Sequence, residues 1–189
     1  MRNNFVPRLI LFIIFSLFFF NLQANESNWK PAKDGNKIIL IRHSIAPGSG
    51  DPPGFKINDC KTQRNLSKEG INQSKKIGKL FKKNQIKIDL VLSSQWCRCK
   101  DTAKHAFKKF KEFSALNSTF QPPYNYNAKK QIEELKNYIQ SWNKNENGSN
   151  LILVTHYVII TAITDVAPRS GEIVIIDKNF NILSTILTN

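Results

Sequence analysis

Three short stretches carry side chains able to do chemistry, and each stands just after an apolar run. Arg42-His43 follows Ile38-Ile39-Leu40-Ile41, Ser93-Ser94 and then Arg98 follow Ile88 to Leu92, and His156 follows Leu151-Ile152-Leu153-Val154-Thr155. A lone histidine after a strand is more often structural than catalytic. Three such ends together offer two imidazoles and two guanidiniums, and the chemistry that wants this set is phosphoryl transfer. Guanidinium forks match phosphate oxygens two at a time. Fixed cations also stabilise the equatorial oxygens as charge redistributes in the transition state. A neutral imidazole, with an unperturbed pKa of about 6.5, attacks phosphorus in line and forms a phosphohistidine. The second imidazole, protonated, hydrogen-bonds the transferring group. The arginines supply the positive charge, so this reading includes neither metal nor cofactor.

The three apolar runs read as buried strands. Between them lie helical patterns: Ser67 as N-cap of a helix to about Lys83, a helix from about Trp96 to Lys111, and one from about Ala128 to Lys144 ended by Asn147-Gly148. A further helix starts at Tyr157, and the runs Glu172 to Ile176 and Ile182 to Leu187 form a hairpin around Lys178-Asn179. Strands alternating with helices predict a three-layer α/β/α domain with a mainly parallel central sheet. In such a sheet the carboxyl ends of neighbouring strands share one crevice. The Pro/Gly/Asp-rich residues 46–59 predict a long loop beside that crevice. Residues 113–131 are poorly patterned, with Phe120 placed in a short strand. Arg98 falls in the first turn of its helix, where a cation opposes the helix dipole; that small cost suggests a use for it.

Arg42-His43, Leu66-Ser67-x-x-Gly70, Ser93-Ser94-x-x-x-Arg98-x-x-x-Thr102-Ala103, Thr155-His156 and Gly171-Glu172 resemble, in this order, the histidine phosphatase (phosphoglycerate mutase-like) superfamily, branch 1 type. The resemblance implies that fold, His43 as the phosphorylated nucleophile, and Arg42, Arg98 and His156 completing the phosphate pocket. Arg64 adds a substrate contact. The usual Arg-His-Gly is Arg42-His43-Ser44 here, and serine is small enough to preserve the pocket. Many members carry a proton-donating Glu or Asp in the middle segment, whereas residues 113–132 contain none. General acid help is commonly worth about 10²–10⁴-fold, so its absence points to a good leaving group or a donor from elsewhere. Asp51 and Asp59, in the long loop, are the nearest candidates by sequence, and Asp51 is the preferred donor. The expected activity is hydrolysis of a phosphomonoester or related small phosphorylated compound. The alternative is a catalytically weak member that binds anionic ligands or envelope polymers.

At the N-terminus, Arg2 and Arg8 precede the apolar run Leu9 to Phe20, and Leu22-Gln23-Ala24 follows. This is the layout of a signal peptide, with cleavage after Ala24. Residues 25–189 then form the domain, secreted or periplasmic; if uncleaved, the same segment is the one membrane contact. The formal net charge is +14, with lysines dispersed along the chain. No basic helix interleaved with aromatics suggests nucleic acid. Of the three cysteines, Cys60 is expected to pair with Cys97 or Cys99, leaving one thiol. A zinc site has no evident fourth ligand.

Overall fold

The computed structural model describes residues 27–143 and 147–188. Residues 27–34 form the helical segment α1. Then follow β1 (Ile38–Arg42), α2 (Lys68–Lys83), β2 (Ile88–Ser93), α3 (Cys97–Phe107), β3 (Lys111–Glu112), α4 (Ala128–Ser141), β4 (Asn150–Thr155), α5 (Tyr157–Thr164), β5 (Ile173–Ile176) and β6 (Ile182–Ile186). The sheet order is β3-β2-β4-β1-β5-β6. The first four strands run parallel, and β5 and β6 close the sheet as an antiparallel pair. This is the mainly parallel α/β/α architecture expected.

The period of two along the strands builds the two core layers. Ile39, Ile41, Ile152 and Val154 face one way, against Ile77 and Phe81 of α2 and Ala103 of α3. Ile38, Leu40, Leu151 and Leu153 face the other, against Leu135 and Ile139 of α4 and Ile159 and Ile160 of α5. Both faces of β1 and β4 are therefore buried, and each fully buried aliphatic side chain contributes about 1.5–3 kcal/mol.

Several boundaries differ from expectation. The helix after β2 stops at Phe107 rather than Lys111, because Lys108 turns into the left-handed region (φ 67°). The chain then lays Lys111–Glu112 along β2 as the sheet's edge strand. Phe120 lies in no strand; its segment bends over the crevice. Helix α4 ends at Ser141, three residues short of Lys144, which lies outside the described residues. Helix α1 has no counterpart in the sequence reading, yet its Trp29 is buried against Phe81 (centroids 5.3 Å apart). Residues 1–24, read above as a signal peptide, also lie outside the described residues.

Candidate active site

Register alone brings the three strand ends together. Arg42 pairs with Thr155 across β1 and β4, and Ser93 pairs with Val154 across β2 and β4. The ladder extends one residue further, through His43 N–H to Thr155 O (2.9 Å) and Ser94 N–H to Val154 O (3.0 Å). His43 and His156 are therefore neighbours, with ring centroids 5.4 Å apart, and both are almost fully buried. A cavity of about 60 Å³ opens there, lined by Arg42, His43, Asp51, Arg64, Arg98 and His156 among others. All six site residues named from the sequence reach one place.

The hydrogen bonds assign the tautomers. His43 Nδ1 lies 2.8 Å from Ser44 O, which only accepts, so Nδ1 carries the proton and Nε2 keeps its lone pair. At His156, Nε2 lies 2.9 Å from Ser94 Oγ. The Ser94 hydroxyl donates to Asn117 Oδ1, an oxygen that also accepts from the Gln95 N–H. Ser94 Oγ thus accepts from His156 Nε2–H, and Nδ1 is the free nitrogen. Burial, then the nearby Arg98, holds both imidazoles well below the ordinary histidine value. His43 is therefore neutral, with the Nε2 lone pair available. His156 is neutral too, unlike the protonated partner expected from the sequence, because burial and the nearby Arg98 disfavour its imidazolium.

Asp51 accepts from Arg98 Nη1 (2.9 and 3.1 Å), from Trp96 Nε1 (2.9 Å) and from the Arg64 N–H (2.9 Å). Both side chains of the Asp51–Arg98 pair are buried. Burial pushes the Asp51 carboxyl up, but the bonds from Arg98 and the Arg64 backbone outweigh it and leave it below its usual value. A donor must hold a proton, and this pairing favours the carboxylate, so Asp51 is better placed to fix Arg98 than to protonate a leaving group. Arg64 directs Nε to Gly50 O (2.7 Å) and Nη1 to Ala46 O, so it spends donors on the loop carbonyls. Arg42 is held by Nη1–H to Pro168 O (2.8 Å) and lies over the Tyr157 ring, 5.3 Å from its centroid. The Nε atoms of Arg42 and Arg98 are buried without a hydrogen-bond partner.

The loop carrying Asp51 is pinned to the start of α3 by a Cys60–Cys97 disulfide. Cys99 is the free thiol; burial raises its pKa to about 12, so it is no nucleophile. Ser44 fits as expected: its N–H donates to Thr102 Oγ1 and its hydroxyl accepts from Ser74. Sequence reasoning missed Trp96, Asn117 and Tyr157, which orient Asp51, His156 and Arg42. Their one signal was adjacency, since Trp96 stands two residues before Arg98 and Tyr157 directly after His156. Asn117 had none. Among the described residues, no cluster of three or more His, Cys, Asp or Glu side chains is arranged to hold a metal ion.

No protein-family model matches the chain, and no curated protein matches it in sequence. Solved structures do. The protein histidine phosphatase SixA, complexed with tungstate, superposes with a TM-score of 0.56 at 14% identity, over 80% of this chain and 97% of SixA. TTHB049 from Thermus thermophilus gives 0.57 at 15% identity, over 79% and 98%. An Escherichia coli K-12 protein provisionally assigned as an alpha-ribazole-5'-P phosphatase gives 0.55 at 16%, over 78% and 94%. The chain has the fold of the histidine phosphatases.

Proposed function

We propose that the protein is a phosphatase that hydrolyses a small phosphorylated compound through a phosphohistidine on His43. The observation that carries this reading is charge and donor complementarity to a phosphoryl group. Three guanidiniums and one carboxylate line the cavity, and with both imidazoles neutral they leave a net charge of +2. A phosphate dianion balances that charge, and the unpartnered Nε–H groups of Arg42 and Arg98 are donors suited to its oxygens. His43 Nε2 attacks phosphorus, the leaving group departs with the bonding electron pair, and water then cleaves the P–N bond. A bound dianion also favours proton uptake by His156 Nδ1, which then donates to a phosphoryl oxygen. The arginines do the electrostatic work, so activity needs no added metal.

Purified protein incubated with an aryl phosphate is expected to release phosphate and to carry label on His43 after acid-free quenching. His43→Ala and Arg98→Ala fall to background, and EDTA leaves the wild-type rate unchanged. Wild type no faster than these variants ends the enzyme reading, and loss of activity in EDTA ends its metal independence. A second reading, anion binding with weak catalysis, draws on the one carboxylate in the cavity being committed to Arg98. Action outside the cytoplasm is part of the proposal, supported by the Cys60–Cys97 disulfide. It is tested by N-terminal sequencing of the exported form, expected to begin at Asn25.

A further inference from the structure

The phosphate cavity has an aromatic rim that the phosphoryl chemistry does not use. Phe120 is 46% exposed, although it is a large apolar residue beside a charged pocket. It stands by Tyr157, ring centroids 6.1 Å apart with planes tilted by 59°, and both residues line the cavity. That separation is within the range of favourable ring pairs. The rim is tied to the pocket rather than loosely appended. The Asp51 N–H donates to Gln121 Oε1 (2.8 Å) and the Phe120 N–H to Ser118 Oγ (3.3 Å), so the Phe120 backbone is set against the Asp51 loop. Tyr157 in turn carries the Arg42 guanidinium on its face.

A second, independent observation concerns the leaving group. Asp51 is the sole acid among the residues lining the cavity, and its oxygens are committed to Arg98, Trp96 and the Arg64 N–H. No carboxyl there is free to protonate a departing alkoxide. With no carboxyl free to supply a proton, the cavity suits a leaving group stable as an anion.

Resting on the phosphatase reading, we infer that Phe120 and Tyr157 form a platform for a planar aromatic leaving group, so that the substrates are phosphate esters of aromatic hydroxyls. The ring packs on Phe120 at the mouth while the phosphoryl group enters between Arg42 and Arg98. His43 Nε2 forms the P–N bond as the P–O(aryl) bond breaks. The electron pair leaves on a resonance-stabilised aryl oxide, which takes its proton from solvent. Water then attacks phosphorus, returns the P–N pair to Nε2 and yields inorganic phosphate.

The test compares wild type with Phe120→Ala on phenyl phosphate and glycerol phosphate, with binding of phenylphosphonate and methylphosphonate measured by calorimetry. Phe120 is the better probe because Tyr157 also supports Arg42. Wild type should hydrolyse phenyl phosphate at least tenfold faster (kcat/KM) than glycerol phosphate and bind phenylphosphonate more tightly than methylphosphonate. Phe120→Ala should raise KM for phenyl phosphate and erase the phenylphosphonate advantage, with inhibition by inorganic phosphate unchanged. Equal turnover of both esters, or a variant with its phenyl preference intact, overturns the platform and leaves the phosphatase standing. No turnover of either ester and no phosphohistidine on His43 overturns the phosphatase and the platform with it.

Discussion

At the tip of β1, the bond from His43 Nδ1 to Ser44 O leaves Nε2 as the nitrogen with a lone pair, while burial keeps the ring unprotonated. Arg98 is set with the same economy of partners: Asp51 takes Nη1, and Nε stays buried and unbonded. A buried ion pair of this kind is costly to break from one side, because the remaining charge is stranded; removing one partner typically costs about 3–5 kcal/mol. Asp51→Ala is therefore expected to lower the urea-unfolding free energy by about 3 kcal/mol or more and to raise KM for a phosphate ester. A general-acid role would instead remove the alkaline limb of the kcat profile with stability unchanged. Because its folded-state pKa is depressed, Asp51 stabilises the fold above the usual carboxylate range. That contribution is lost as pH falls through the lowered value.

Two elements hold the loop that follows β1. Gly70, in the first turn of α2, passes so close to that loop that an added Cβ would lie 2.0 Å from Ile45 O. Ile45 O also accepts from the N–H of Ser67, whose side chain caps the helix by accepting from Gly70 N–H. Gly70→Ala should displace Ile45 and with it Ser44, the partner of His43, at a stability cost of about 1–3 kcal/mol. Ser67→Ala should lose about 1 kcal/mol through the cap alone. Activity falling with Gly70→Ala and surviving Ser67→Ala is the expected contrast. The second brace is the disulfide across a separation of 37 residues, from the loop to the residue before Arg98. Its reduction should lower the unfolding free energy by about 2–4 kcal/mol. Since the same crosslink joins the Asp51 loop to α3, reduced protein should also show a higher KM. Unchanged KM in dithiothreitol at a temperature where the fold persists would separate the brace from the site.

For the molecule as a whole, two buried neutral imidazoles imply a direction of pH dependence. His43 and His156 sit well below the ordinary value when folded, and near 6.5 when unfolded. Below about pH 6.5 the unfolded chain binds protons that the folded chain refuses, so stability is full above that pH and declines as pH falls. Urea unfolding at pH 7.5 and 5.0 should show the decline, and His43→Gln should make it shallower. On the proposed function, inorganic phosphate binds the folded state and should raise the melting temperature at fixed pH, and Arg98→Ala should abolish the rise.

The order of residues along the chain was enough to set the layers and the three strand ends, because β-branched apolar runs buried on both faces have few alternatives and a parallel sheet collects their carboxyl ends. It also located His43, Arg42, Arg98 and His156, since each lies within a few residues of such an end. What those residues are bonded to emerged from the folded arrangement. The Asp51–Arg98 pair spans 47 positions and the Ser94–His156 bond 62, and no local periodicity encodes partners that far apart. Helix α3 ends early for a similar reason, since Lys111–Glu112 gains a ladder on β2 that outweighs helix propensity. The recast role of Asp51, legible as an acid near the site but not as a clamp on Arg98, shows where the boundary falls. Residue type is written locally, while protonation state follows from burial and from neighbours that only folding supplies.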